Sequence, residues 1–336
     1  MMDNQPKEAM FYERLDGGRV RCNLCPHYCQ IADGKVGICR GRENRGGTLY
    51  ASTYSETIAL NNDPIEKKPL YHFYPGSYLL SIGPNACNFS CQFCQNWEIS
   101  QTRVPTSRLT PQAAVEFAKS SRRCIGLSFT YTEPLMWFEY LLETSKLARD
   151  YGLKTTLVTN GFINPEPMAM LLPLIDAINL DIKSMDDEFY RKVCGARLQP
   201  VLDFARQVKD AVALEITNLL ISGLNDSPEQ IRKLVDWVCE NLGPGTPLHF
   251  SRYFPRYKMA RPPTPMRTLV EAYDMARQKL KFVYVGNIID DNLNCTYCPS
   301  CGNLLVDRVG YTVKVVGLSD GKCKRCGEAI PIITSG

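Results

Sequence analysis

Seven apolar runs rich in β-branched residues recur along the middle of the chain, and segments with helical periodicity lie between them. The runs are 78–83, 124–130, 154–159, 176–182, 213–221, 247–254 and 282–288. Strands that alternate with helices favour a parallel sheet with helices on its outer side, and near-continuous apolarity indicates strands buried on both faces. The pattern predicts an α/β fold, a partial or full TIM-like (β/α) barrel, whose chemistry would gather at the C-terminal strand ends.

Three of the predicted helices begin at a hydroxyl residue followed by proline, namely Thr110-Pro111, Ser227-Pro228 and Thr264-Pro265. The hydroxyl can cap the helix, and proline is favoured at the first helical position. Gln230 is placed to complete a capping box with Ser227, and Gly243 is placed to end the same helix.

Cysteine is the unusual part of the composition, with 15 in 336 residues. Twelve of them, counting Cys295 with the last group, fall in three groups with short spacings, which is typical of metal ligands and not of a disulfide framework. Residues 1–8 are polar, and no apolar run approaches the roughly 20 residues of a membrane span. We therefore predict a cytoplasmic protein without a membrane partner. Cys124, Cys194 and Cys239 stand alone and are interpreted as core or incidental residues.

The central group is the three-cysteine loop, Cys87-x3-Cys91-x2-Cys94, directly after the run 78–83. Iron–sulfur cubanes are usually held by four thiolates, so three thiolates can leave the fourth iron open to a substrate or cofactor. An open coordination position separates a catalytic metal site from a closed structural one. The loop therefore suggests chemistry at the end of the first strand.

The N-terminal four-cysteine group is Cys22-x2-Cys25-x3-Cys29-x9-Cys39. Four thiolates within such a short stretch form a credible closed metal site. Either zinc or an additional iron–sulfur cluster suits this donor set, and the sequence does not choose between them.

The C-terminal four-cysteine group consists of two C-x-x-C turns, each followed by glycine, at Cys298/Cys301 and Cys323/Cys326. Two such knuckles joined by a β-rich stretch are typical of a zinc ribbon, so we expect zinc ahead of iron. Cys295 is left as a possible spare ligand. The cysteine groups divide the chain into an N-terminal Cys-rich segment with a metal site (1–76), a core barrel (77–289) and a zinc-ribbon-like module (290–336).

Polar residues recur at the same end of successive predicted strands. They are Thr132 and Glu133 after the second run, Asn160 and Gly161 after the third, and Asp181 and Lys183 at the end of the fourth. Any one of them is a common loop residue, but their recurrence at the predicted C-terminal edge favours a binding site.

The three-cysteine loop, with aromatic Phe93 before its last cysteine, resembles that of radical S-adenosylmethionine (SAM) enzymes, and the resemblance extends over residues 77 to about 288. It is closest to the pyruvate formate-lyase activating enzymes. The segments that carry this closer resemblance are 180–183, Gly195 and 221–226. With both cysteine-rich ends included, as in 21–27 and 61–72, the chain resembles the radical SAM enzymes of the AmmeMemoRadiSam system over nearly its whole length.

The resemblance implies a barrel of the radical SAM type, with a 4Fe-4S cluster on Cys87, Cys91 and Cys94 and with SAM bound to the fourth iron. Reductive cleavage of SAM would give a 5′-deoxyadenosyl radical that abstracts hydrogen from an unknown substrate, a small molecule or a protein. Ferredoxin or flavodoxin would supply the electron. The positions that match the family's cofactor-binding strand ends are Thr132, Glu133, Asn160, Gly161, Asp181 and Lys183, with Tyr131 and Thr132 in place of two glycines.

Two alternatives stay open. Within the same class, the protein could be an activase that installs a glycyl radical on another protein. A different class is a non-catalytic iron–sulfur and zinc protein for electron transfer or RNA binding, against which a motif of only three cysteines speaks. The net charge of +4 does not indicate a nucleic-acid partner.

Overall fold

The computed structural model describes residues 6–288 and 292–334. The predicted boundary at residues 289–290 lies outside the described residues. The N-terminal segment consists of short strands: β1 (Tyr12–Arg14), β2 (Val20–Cys22), β3 (Gln30–Ile31), β4 (Arg42–Arg45), β5 (Thr48–Ala51), β6 (Glu56–Thr57) and β7 (Ala59–Pro64). Strands β1 to β3 form one antiparallel sheet, and β4 pairs with β5.

The central part alternates strands and helices, as predicted. Its elements are β8 (Tyr78–Gly83), α1 (Trp97–Ser100), β9 (Ser107–Arg108), α2 (Pro111–Ser120), β10 (Cys124–Phe129), α3 (Phe138–Asp150), β11 (Lys154–Thr159), α4 (Pro165–Leu171), β12 (Ala177–Asp181), α5 (Asp187–Phe189), α6 (Leu198–Val208), β13 (Ala213–Leu220), α7 (Pro228–Asn241), β14 (Leu248–Arg252), α8 (Met266–Arg277) and β15 (Val283–Gly286). Each of the seven apolar runs therefore contains a strand.

Together with β7, all of these strands except β9 form one eight-stranded sheet in the order β15-β14-β13-β12-β11-β10-β8-β7, while β9 pairs with β6. All neighbours from β8 to β15 are parallel, and β7 is antiparallel to β8. Within the described ranges the two edge strands, β7 and β15, are not hydrogen-bonded to each other. The α/β prediction is confirmed, and the barrel is partial. Because β7 precedes residue 77 yet extends the central sheet, the division at 76/77 separates two paired strands and stays a prediction.

The helices cover the sheet through apolar stripes. In α6 the buried residues include Val201, Phe204, Ala205 and Val208, which are spaced i, i+3, i+4 and i+7 and therefore share one face. No helix in the described part of the chain is both long and apolar enough to cross a membrane.

Two of the three predicted helix starts are confirmed. The Thr110 hydroxyl accepts a hydrogen bond from the Ala113 amide (3.2 Å), and the Ser227 hydroxyl accepts one from the Gln230 amide (3.3 Å). The predicted capping box at Ser227 is wrong, because the side-chain oxygen of Gln230 has no hydrogen-bond partner among the residues that the structure describes. Gly243 follows α7 with φ of +101°, as expected for a glycine that ends a helix.

The third start is displaced. Helix α8 begins at Met266, and Pro265 takes the cap position. The Thr264 hydroxyl is used elsewhere, since it donates to the Leu220 carbonyl (2.6 Å) and accepts from the Tyr253 amide (2.9 Å). A tertiary hydrogen bond has replaced the local cap.

The C-terminal module contains β16 (Thr296–Tyr297), β17 (Leu304–Val309), β18 (Thr312–Val315), β19 (Leu318–Ser319) and β20 (Lys322–Cys323). The first three form an antiparallel sheet and the last two a hairpin. Fully buried Arg308 attaches the module to the segment between β7 and β8 by donating to the Tyr71 carbonyl (2.7 Å). The next residue, His72, has its Nε2 2.7 Å from the Tyr284 hydroxyl, and this contact joins the same segment to β15.

Candidate functional site

The three-cysteine loop follows β8 at the C-terminal end of the parallel sheet. Cys87 and Cys91 are buried, and Cys94 is partly exposed. The amide of Phe89 donates to the Cys87 sulfur (3.4 Å), and the Ser100 hydroxyl lies 3.2 Å from the Cys94 sulfur. Polar contacts of this kind stabilise thiolates, which are the form that binds metal.

A turn after α5 packs against the three-cysteine loop and is hydrogen-bonded to it. The Ser90 amide donates to the carbonyl of Cys194 (2.8 Å) at the end of a π-helical turn, Tyr190–Cys194. Gly195 follows with φ of +69°, and a Cβ there would lie 2.4 Å from the Ser90 hydroxyl oxygen. Glycine is therefore required at this position both for its backbone conformation and for the close approach of the loop.

Cys194 is buried, as a core residue should be, but it is not merely incidental. Its thiol hydrogen-bonds to Cys91, so it contacts one of the three motif sulfurs. Nothing in the sequence predicts this contact, because a single cysteine in an apolar context is ordinary.

Asn160 and Gly161, after β11, contact the loop and the core. The Asn160 side chain donates to the Asn88 side-chain oxygen (2.9 Å), Asn88 donates to the Phe162 carbonyl (2.7 Å), and the Phe162 amide donates back to Asn160 (2.9 Å). Gly161 has φ of +67°, and a Cβ would lie 2.6 Å from a methyl of Leu180. The end of β11 is thus fixed against the three-cysteine loop.

Glu133 is fully buried after β10. Its carboxylate accepts hydrogen bonds from the Thr159 hydroxyl (2.6 Å), the Asn160 amide (2.8 Å) and the Leu135 amide (3.1 Å). Burial raises the pKa of Glu133 to about 7 despite these donors, because removing a carboxylate from water disfavours its charged form. A cationic ligand next to Glu133 would restore that charge.

Tyr131 and Thr132, the two residues before Glu133, form a turn whose backbone conformation is one that glycine favours. Tyr131 has φ of +76°, a left-handed conformation that glycine adopts without strain. Its hydroxyl donates to Asp63 (2.9 Å) and accepts from Asn61 (2.9 Å), both on β7. The Thr132 hydroxyl donates to the Pro84 carbonyl (2.5 Å). Side-chain bonds to neighbouring strands hold this glycine-like turn in place.

Asp181 and Lys183 form an ion pair at the end of β12 (2.8 Å). Burial alone would lower the pKa of Lys183, but the Asp181 carboxylate and the nearby Cys91 sulfur raise it above the ordinary value. The Lys183 carbonyl accepts from the Asn225 side chain (2.7 Å). A charged ammonium group therefore lies beside the three-cysteine loop.

The three cysteine groups differ in how closely their sulfurs lie. Among the described residues, only the C-terminal four-cysteine group has ligand atoms that all lie within 4.8 Å of one another. Its sulfurs are 3.6 Å (Cys298 to Cys326) and 3.7 Å (Cys301 to Cys323) apart. Four sulfurs placed tetrahedrally at 2.3 Å from one zinc would be roughly 3.8 Å apart. Cys295 lies outside this group and accepts from the Arg308 amide (3.4 Å).

The N-terminal four-cysteine group lines a single cavity. Cys22, Cys25 and Cys39 are buried, and Cys29 is partly exposed. In both the three-cysteine loop and this N-terminal group, the sulfurs lie farther apart than the sulfurs around one metal ion. A cubane requires such a wider arrangement, because its thiolates bind different irons. The donors present therefore fit an iron–sulfur cluster at Cys87, Cys91 and Cys94.

The comparisons with known proteins agree with this geometry. Residues 81–238 match the family model of the radical SAM superfamily. The chain is 44% identical to an uncharacterized protein of Methanocaldococcus jannaschii over 335 residues, which is 97% of this chain and 99% of the relative. It is also 28% identical to the pyruvate formate-lyase-activating enzyme of Clostridium pasteurianum over 157 residues, 45% of this chain and 66% of that enzyme.

Two further likenesses are more limited. The 4-hydroxyphenylacetate decarboxylase activating enzyme of Clostridium scatologenes is 29% identical over 119 residues, 34% of this chain and 38% of that enzyme. A solved domain of the pyruvate-formate lyase-activating enzyme from Bacteroides vulgatus matches 48% of this chain and 98% of its own, with 20% identity and a TM-score of 0.43, too low to bear on function. The chain belongs to the radical SAM superfamily, as an enzyme similar to the pyruvate formate-lyase activating enzymes.

Proposed function

We propose that this protein uses a 4Fe-4S cluster to cleave SAM reductively, giving a 5′-deoxyadenosyl radical that abstracts hydrogen from a substrate. The observation that carries the proposal is the position of the three-cysteine loop at the C-terminal edge of the sheet, hydrogen-bonded through Asn88 to the end of β11. Membership in an enzyme family argues against the non-catalytic alternative.

We assign a separate role to each group of residues in the proposed site. Cys87, Cys91 and Cys94 would hold the cluster and leave one iron for the amino and carboxylate groups of SAM. Glu133 would accept a hydrogen bond from the iron-bound amino group, because its buried carboxylate has hydrogen-bond donors but no cation among its partners in the described part of the chain. The ammonium group of Lys183, beside Cys91, would stabilise anionic charge at the cluster.

The same edge of the sheet supplies the remaining contacts of the proposed cofactor site. Thr132 orders the turn before Glu133, Asn160 and Gly161 set the backbone at the end of β11, and Asp181 orients Lys183. These assignments rest on the family resemblance together with the contacts described above.

A second candidate is activation of a glycyl-radical enzyme. The names of the activating-enzyme relatives favour it, and they imply a protein substrate and a reductant such as ferredoxin or flavodoxin. The chain matches less than two thirds of the length of those relatives, so their activity is carried over only as a proposal. An activase would leave a stable radical on a large protein, whereas the leading proposal predicts another modified product.

The accessory regions carry proposals of their own. We infer zinc in the C-terminal four-cysteine group, because the sulfur spacing suits one tetrahedral ion. The three-part division of the chain, the AmmeMemoRadiSam assignment and the cytoplasmic location stay predictions.

The test is formation of 5′-deoxyadenosine by the anaerobic protein with SAM and a low-potential reductant. Cys91→Ala should abolish it, because it removes a cluster ligand. The matched control is Cys124→Ala, which removes a half-buried cysteine of β10 outside all three groups, and which should keep the activity. Wild-type protein with a full cluster that forms no 5′-deoxyadenosine would refute the proposal.

A further inference from the structure

We propose that the N-terminal four-cysteine group holds an iron–sulfur cluster and not zinc, directly beside the three-cysteine loop. The sequence leaves both metals open, because four thiolates suit either. The spacing of the sulfurs chooses between them, while a buried arginine in the cavity wall indicates an anionic group there and the contact between the two cysteine segments gives its position. None of the three depends on SAM cleavage.

The spacing is the first feature. A single zinc ion draws four sulfurs to within roughly 3.8 Å of one another, and the C-terminal four-cysteine group has that spacing. In the N-terminal group, no three sulfurs all lie within 4.8 Å of one another, although the four thiols line the same cavity. Thiolates bound to different irons of a cluster are held farther apart than thiolates on one ion, so the wider arrangement fits a cluster.

Arg42 is the second feature. Its side chain is 1% exposed and lines the cavity with the four thiols. One terminal nitrogen donates to Glu139 (2.7 Å), but Nε and the other terminal nitrogen have no hydrogen-bond partner within residues 6–288 and 292–334. Buried donors are normally paired. The sulfides and thiolates of an anionic cluster would supply the missing acceptors.

The contact between the segments is the third feature. The Cys87 amide donates to the Cys39 carbonyl (3.3 Å), so a ligand of one site is hydrogen-bonded to a ligand of the other. His27, within the N-terminal group, has its Nε2 2.8 Å from the Asn88 carbonyl of the three-cysteine loop. A Cβ on Gly41 would lie 3.1 Å from the Cβ of Ala86. Two clusters placed in this way would be close enough to exchange an electron and to interact magnetically.

The first test is metal and sulfide analysis of protein isolated anaerobically without added iron. In the variant Cys87→Ala/Cys91→Ala/Cys94→Ala, we expect iron and acid-labile sulfide to remain in equal amounts, at least about two of each per chain, with about one zinc. The further changes Cys22→Ala and Cys25→Ala should remove the iron and sulfide and leave the zinc. A triple variant with about two zinc ions and no sulfide would overturn the proposal.

The second test keeps the proposal falsifiable if the combined variant fails to fold. Wild-type protein reduced with dithionite should give an electron paramagnetic resonance spectrum broadened by coupling between two clusters. The triple variant should give the narrower signal of one cluster alone. A folded triple variant without any iron–sulfur signal would overturn the assignment. These outcomes are independent of 5′-deoxyadenosine formation, which depends on the three-cysteine loop.

Discussion

Two buried glutamates on the same sheet illustrate the difference between a binding site and a structural network. Glu133 follows β10 and Glu215 lies in β13, and both are almost completely buried. The partners of Glu133 are neutral donors such as the Thr159 hydroxyl. Glu215 instead contacts the His249 ring (2.6 Å) and accepts from the His72 amide (2.7 Å).

Their pKa values shift in opposite directions for this reason. Burial raises the pKa of Glu133 to about 7. Burial would also raise the pKa of Glu215, but the hydrogen bond and charge of His249 and the proximity of His72 lower it below the ordinary value. The charge of Glu215 is therefore compensated inside the protein, whereas Glu133 has no cationic partner among the described residues. We propose that Glu133 is available for a cationic ligand and that Glu215 is structural.

The largest expected effect is the loss of stability on Glu215→Gln. The single amide oxygen cannot accept from both the His249 ring and the His72 backbone, and leaving a buried partner of a carboxylate unpaired costs about 3 kcal/mol or more of unfolding free energy. The control is Glu116→Gln on the exposed face of α2, which should change stability by less than about 0.5 kcal/mol. Denaturant unfolding measures both. Equal stability of the two variants would contradict the structural role of Glu215.

The pH dependence of stability separates the two glutamates next. Because the folded pKa of Glu133 is raised from 4.5 to about 7, the folded state binds the extra proton, and stability falls as pH rises from about 4.5 to about 7. A pKa difference of that size corresponds to a loss of order 3 kcal/mol. The lowered pKa of Glu215 has the opposite sign, since its contribution is present above pH 4.5 and is lost in acid. Denaturant unfolding of wild type and Glu133→Gln across this pH range measures how much of the pH dependence of stability Glu133 contributes. If the unfolding free energies of the two proteins change in parallel with pH, the raised pKa of Glu133 is contradicted.

A smaller effect concerns cofactor affinity. Glu133→Gln removes the charge proposed to bind the SAM amino group, so we expect about tenfold weaker SAM binding above pH 7, or about 1.4 kcal/mol. In wild type the affinity should fall as pH drops through about 7, because the carboxylate is then protonated. The variant should lack this pH dependence. Titration of the anaerobic protein with SAM measures both, and an unchanged affinity at pH 8 would remove Glu133 from the site.

The strands of the core were predictable because each is apolar along its length and buried on both faces. The edge strand β7 was not, since its sequence is Ala-Leu-Asn-Asn-Asp-Pro and it lies mostly exposed against a single neighbour. The predicted start of α8 is one residue too early, because the Thr264 hydroxyl bonds to β13 and not to its own helix. Local patterns predict local bonds, and both departures arise from tertiary contacts.

The candidate site likewise contains residues that the sequence predicts and residues that only tertiary contacts reveal. Cysteine spacing and family resemblance predict the three-cysteine loop and the strand-end residues of the candidate site. Asn88 and Cys194 were missed, although both contact the site, because their partners lie far away in the sequence and neither residue type is unusual where it stands. The preference of the N-terminal four-cysteine group for a cluster also depends on distances that the spacing in sequence does not give.

The central claim is that the three-cysteine loop leaves an iron open to SAM. The most direct measurement is the electron paramagnetic resonance spectrum of the reduced protein before and after addition of SAM, with Cys91→Ala as the reference that lacks this cluster. We predict that SAM changes the signal that wild type has and the variant lacks, because SAM becomes a ligand of one iron. A wild-type spectrum that SAM leaves unchanged would contradict the account.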